Sequence, residues 1–218
     1  MKPRFFVSAT LILLPLTFVW SAPRERGVDP PRIPFCGFGI NKGYFSLEAG
    51  ASFTVKEISN ADPSGIKEVV SQITRALGVE VPIRVALSNN EGNCYAVMTG
   101  GERLIIADHA FLVEVNRTAQ TNWAAISVLA HEVGHHISMF SQDKSPHESE
   151  LDADYWSGYL LQKLGASLAS STKCIMVFGT EVNSPSHPNK YDRAGSIKKG
   201  FTDAQNGGFD KSKCAHCE

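Results

Sequence analysis

Beyond its first nineteen residues the chain has no apolar run long enough to cross a bilayer. It also has no internal repeat and no low-complexity tract, which excludes solenoids and disordered linkers as its main architecture. The formal net charge of −1 comes without a basic stripe, so nucleic acid is not an expected partner. Cysteine is scarce and odd in number, five in all: Cys36, Cys94, Cys174, Cys214 and Cys217. They cannot all pair within the chain, and their pattern of pairing cannot be read from the sequence. Cys214 and Cys217 have CxxC spacing, but no second pair completes a zinc ribbon. What remains is ordinary for a globular protein: 218 residues, 43% hydrophobic and 20% charged, enough for one domain with a real core.

The N-terminus has a different character. Lys2 and Arg4 precede the apolar run Phe5–Val19, and Val19 and Ser21 supply small residues ahead of Ala22. The pattern predicts a secretory signal peptide over 1–21, with an uncleaved anchor as the alternative. The mature chain is therefore expected to be exported, periplasmic or secreted, with no stable membrane span after cleavage. Residues 22–59 read as an N-terminal linker and a segment without clear pattern, 60–205 as the main domain, and 206–218 as a cysteine-containing tail.

Within 60–205 the punctuation is strong. Asp62-Pro63 opens a helix whose apolar residues Ile66, Val69, Val70, Ile73 and Leu77 repeat at helical spacing. Strands follow at 81–87, 93–98 and 103–107, the last two joined by Thr99-Gly100-Gly101-Glu102 as a tight hairpin. Asp108 caps a short helix. A longer helix spans about 122–140, with Ile126, Leu129, Ala130, Val133 and Ile137 as its buried stripe. Ser145-Pro146-His147-Glu148 is a capping box that starts the next helix, which ends at Gly165. Two more helices are expected, at 167–178 and from about 186–188 onward. The class is α+β, mostly helical, with a small sheet.

The chemistry lies in His131-Glu132-Val133-Gly134-His135. Histidines at i and i+4 share one helix face and can bind one tetrahedral zinc ion, while Glu132 is suited to take a proton from the attacking water. Gly134 is expected to permit close packing against the sheet or a substrate. A third ligand is still needed. Ser138 and Ser141 stand where a metzincin requires glycine and histidine, so the next helix must supply it. Glu150 can reach the metal, and Asp154, one turn on, can fix the tautomer of a ligand histidine. His147 is a weaker alternative ligand, Asp152 is expected to be solvated, and His136 lies too far round the helix to join the site.

HExxH followed by ExxxD on the next helix resembles the gluzincin metallopeptidases, and in particular the HtpX-like and BepA-like group with its small exported relatives. The stretches "LAHEVGHH" (129–136), "ELDADYWSGYLLQKLGA" (150–166), "SHPNKYDRAGSI" (186–197) and "NCYAVM" (93–98) carry the resemblance, which covers roughly 60–205. It implies a zinc-dependent endopeptidase with one Zn²⁺ per chain, acting on peptides or proteins. It implies an edge strand that lines the active-site cleft, with Asn93, Cys94, Tyr95 and Ala96 along the substrate. It also places His187 beside the metal, either donating to a developing oxyanion or occupying a fourth metal position; a plain helix cap is the structural alternative. Arg193 reaches a carboxylate near the metal, the substrate backbone, or a structural salt bridge. Fourteen residues separate His135 from Glu150, too few for the insertions of the membrane-embedded relatives. No GxMEN-type element is present to hold a substrate amine, which favours an endopeptidase. The competing reading is a zinc-containing binding or chaperone-like module whose peptidase activity is latent.

Overall fold

The computed structural model describes residues 56–57, 65–78, 81–88, 92–138, 144–210 and 213. All of them belong to one compact unit, 33–218. The expected signal peptide, the Asp62-Pro63 helix start, and Cys36, Cys214 and Cys217 lie outside the described residues.

The fold is mixed α+β, with six helices and one small sheet among the described residues. Four strands form the sheet: β1 (Lys56–Glu57), β2 (Ile83–Ser88), β3 (Cys94–Thr99) and β4 (Glu102–Asp108), in spatial order β1-β2-β4-β3. β1 extends the sheet into the segment that carries no clear pattern in the sequence. β3 and β4 form the expected hairpin, paired from Thr99↔Glu102 to Cys94↔Ala107. Gly100 and Gly101 turn it with φ of 57° and 82°, a region that costs glycine little. β4 then runs parallel to β2, which leaves β3 at the edge.

α1 (Ile66–Arg75) follows Gly65, its N-cap, which has φ 69° and offers no side-chain cap. α2 (His109–Ala119) is capped by Asp108, whose side chain accepts from the Phe111 amide. α3 (Trp123–Ser138) departs from the expected one-sided stripe: every residue from Val128 to Ser138 is buried. It runs through the centre of the molecule, in contact with α1, α2, α4, α5, β3 and β4. α4 (Pro146–Lys163) has the complete capping box, Ser145 accepting from the Glu148 amide and Glu148 accepting from the Ser145 amide. α5 (Leu168–Phe178) is capped by Ser167. α6 (Lys190–Gln205) begins later than expected, because Asn189 accepts from the amides of Tyr191 and Asp192.

Three glycines set how closely the helices around the centre approach. A Cβ at Gly134 would fall 2.6 Å from the Ala153 carbonyl oxygen, so this glycine admits α4, not the sheet or a substrate. On the other side of α4, a Cβ at Gly158 would strike the Ile197 carbonyl, and one at Gly200 would strike that of Tyr155. The α4–α6 crossing is thus backbone against backbone from both sides. That crossing brings Arg193 of α6 to the acidic face of α4.

Candidate metal centre

An i, i+4 pair on α3 and a residue on the first turns of α4 face each other across the α3–α4 contact. His131, His135 and Glu150 are 1–2% exposed, and one ligand atom from each lies within 4.8 Å of the others. His131 Nε2 is 3.5 Å from Glu150 Oε2, and His135 Nε2 is 3.5 Å from Glu150 Oε1. These separations are long for hydrogen bonds. They are close to the ~3.3 Å that separates two ligand atoms on one tetrahedral ion with bonds of ~2.0 Å. Neither Glu150 oxygen makes a hydrogen bond, although both are buried. A buried carboxylate without hydrogen bonds is costly, and a cation among these three side chains would remove the cost. The group can therefore hold a metal ion.

The surroundings orient the ligands. His131 Nδ1 lies 2.8 Å from Asp154 Oδ1. A carboxylate accepts, so Nδ1 carries a proton, and Nε2 is the nitrogen that faces Glu150 and would bind a metal. Arg193, 2% exposed, grips Asp154 with both arms of its guanidinium: Nε donates to Oδ2 at 2.6 Å and Nη2 to Oδ1 at 2.9 Å. Nη2 also lies 3.3 Å from Glu150 Oε2. Arg193 thus contacts two carboxylates at once, which fits both a role beside the metal group and a structural salt bridge.

Burial works against ionising Glu150, but His131, His135 and Arg193 outweigh it and hold its pKa well below the ordinary range. Burial likewise opposes ionised Asp154, and Arg193 with His131 overcomes it. Burial pushes the pKa of His135 down, helped by the neighbouring His131. Both carboxylates are therefore charged and His135 is kept neutral, the protonation states a metal needs.

Glu132 is 1% exposed and next to His131 on the same buried helix. His187 comes from the loop between α5 and α6. Its Nε2 is 3.6 Å from Glu150 Oε2, and its Nδ1 is 2.7 Å from Ser186 Oγ. The helix-cap reading of His187 falls, since Asn189 caps α6. His147 donates from Nε2 to the Ser184 carbonyl at 2.7 Å and is not one of the converging ligands. His136 is turned to the Leu104 carbonyl on β4, 3.1 Å away, as its position round the helix predicts. Along β3, Cys94 and Ala96 are buried and Tyr95 is half-buried; Asn93, just before the strand, is fully buried.

One expectation reverses. Asp152 is not solvated: it is 2% exposed and held by Lys144 on one oxygen and Lys213 on the other. Burial of a carboxylate demands partners, and here they come from the loop ahead of α4 and from the tail. Sequence reasoning also passed over Ser184 and Ser186, whose hydroxyls contact His187; their only signal was adjacency to it.

No protein-family model, no curated protein and no solved structure matches the chain. Among the described residues no helix is long and apolar enough to cross a membrane.

Proposed function

We propose that this chain is a zinc-dependent endopeptidase of the gluzincin kind, exported from the cell that makes it, as its N-terminal pattern suggests. The observation that carries the reading is the convergence of His131, His135 and Glu150, buried together with no hydrogen bond to either Glu150 oxygen. Two imidazoles and a carboxylate are a donor set that zinc takes in sites with a fourth position open to chemistry. When bound there, one zinc ion supplies Lewis acidity toward a water molecule and a scissile carbonyl.

The chain's own residues do the rest. Glu132 takes the proton of the attacking water and returns it to the leaving amine. Asp154 keeps the proton of His131 on Nδ1, and Arg193 keeps Asp154 and Glu150 ionised and aligned. His187 donates to the carbonyl oxygen as negative charge builds on it. β3, at the sheet edge, offers backbone groups for an extended peptide or protein substrate.

The direct test is cleavage of an unfolded protein mixture, with and without a chelator, beside metal analysis of the same sample. Chelator-sensitive cleavage and about one zinc per chain are expected. Glu132→Gln should keep the zinc and the fold and lose about 10²–10⁴ in rate. A fully loaded protein that cleaves nothing would give the site to the binding-module reading, and near-normal cleavage by Glu132→Gln would remove the proton-transfer role.

A further inference from the structure

Residues 179–189 carry His187 from α5 to α6 without regular secondary structure. The bonds inside this loop close a turn but do not locate it. The Ser184 amide donates to the His187 carbonyl at 2.8 Å, and the His187 amide donates to Ser184 Oγ at 2.9 Å. What ties the turn to the site is a contact from another element. His147, half-buried on the first turn of α4, donates from Nε2 to the Ser184 carbonyl at 2.7 Å. A carbonyl only accepts, so the Nε2 of His147 carries a proton. Glu150 lies three residues further along the same helix, close to His187 Nε2 at 3.6 Å. One turn of α4 therefore holds both the buried carboxylate and the loop whose imidazole faces it.

We propose that His147 is a positioning residue for His187: by holding the Ser184–His187 turn against α4, it fixes the His187 ring beside Glu150. Its Nε2 lies 3.6 Å from Glu150 Oε2, and its Nδ1 lies 2.7 Å from the Ser186 hydroxyl. The proposal rests on the peptidase reading for its rate measurement alone.

The experiment compares His147→Ala and His147→Gln in the full-length, zinc-loaded protein. Gln is chosen because its amide can replace the Nε2 donor. His147→Ala should retain its zinc and lower kcat by roughly 3–10-fold with little change in KM, the effect of one net hydrogen bond. The ¹⁵N signals of His187 should move from the single pattern of a fixed ring toward averaged values, and His147→Gln should restore both rate and spectrum. In a His187→Ala background, adding His147→Ala should cost nothing more. The proposal is overturned if the His187 spectrum is unchanged in His147→Ala, if the rate losses of the two substitutions multiply independently, or if His147→Ala sheds zinc. Should the wild type cleave nothing, the peptidase reading fails, and the spectrum still decides whether His147 positions the ring.

Discussion

Glu150 and Asp152 are two carboxylates two residues apart on one helix, both buried, yet the fold treats them in opposite ways. Asp152 is saturated from within the chain: each oxygen receives a lysine, and the backbone beside Lys213 is fastened again by Trp156, whose indole donates to the Lys213 carbonyl at 2.6 Å. Glu150 has histidine nitrogens at 3.5 Å and the shared Arg193 Nη2 at 3.3 Å, but no hydrogen bond to either oxygen. A carboxylate neutralised by the chain's own cations stabilises the fold and is chemically finished. One that faces two imidazoles, beside an arginine already committed to Asp154, is prepared for a cation from outside. On α4 these two outcomes sit on opposite faces, the α3 side and the side reached by Lys144 and Lys213.

The comparison breaks most visibly at the metal. Glu150→Ala should remove most of the bound zinc, because two imidazoles then face an open side with no anionic ligand. Asp152→Ala, the control two residues away, should leave zinc content unchanged. Equal zinc in both variants, read by elemental analysis after dialysis, would mean that Glu150 is not a ligand. Asp154→Asn comes next in size. The amide can still touch His131 Nδ1, but the charge that raises the basicity of the ring and pairs with Arg193 is gone. A loss of about 10–100-fold in zinc affinity is expected; an affinity equal to wild type in a competition titration would place Asp154 outside the site.

Stability reverses the ranking within the pair. Asp152→Ala removes the acceptor for two lysines that are themselves 23% and 27% exposed and can turn out to water. The expected cost is therefore that of the lost charged hydrogen bonds, about 1–3 kcal/mol, and not that of stranded buried cations. Chemical denaturation of the metal-free protein should show this loss in Asp152→Ala and a smaller one in Glu150→Ala, whose oxygens make no hydrogen bond. The opposite order would undo the distinction between the two carboxylates.

How much of this was legible depends on sequence distance. The i, i+4 histidines, the Glu150/Asp154 pair, the capping box and the double-glycine hairpin are local patterns, and each lies where its spacing predicts. Asp152 was misread because its partners are 8 and 61 residues away, beyond any helical period. The burial of α3 on all sides was hidden for a related reason. His131, Glu132, His135 and His136 break its apolar pattern, and only the surrounding helices and strands show that these polar side chains face protein. The start of α6 was displaced because Ser186-His187-Pro188 imitates a helix start, whereas the Asn189 side chain forms the cap.

At neutral pH His136 gives the smallest expected effect; it extends the comparison to α3, where it is the polar residue next to His135 and is, like Asp152, engaged by the fold. Its ring is fully buried and turned to the Leu104 carbonyl. Burial pushes its pKa down from 6.5 to about 3, against the pull of that carbonyl. A histidine with a depressed native pKa contributes stability that is present above its unfolded value and lost as pH falls toward the native one. Between about pH 6.5 and 3 the unfolded chain therefore binds a proton at His136 that the native chain refuses. Each such proton adds about 1.4 kcal/mol per pH unit to the slope of stability against pH at full difference. In metal-free protein, where zinc release cannot contribute, His136→Gln should flatten the slope by close to one proton's worth around pH 4–6 and leave it unchanged above pH 7.5. The amide of Gln can keep the bond to Leu104, so the fold has no reason to change. Unfolding midpoints measured across that range in both proteins decide it: parallel curves would mean that His136 titrates alike in the folded and unfolded chains, and that its burial between α3 and β4 is not what keeps it neutral.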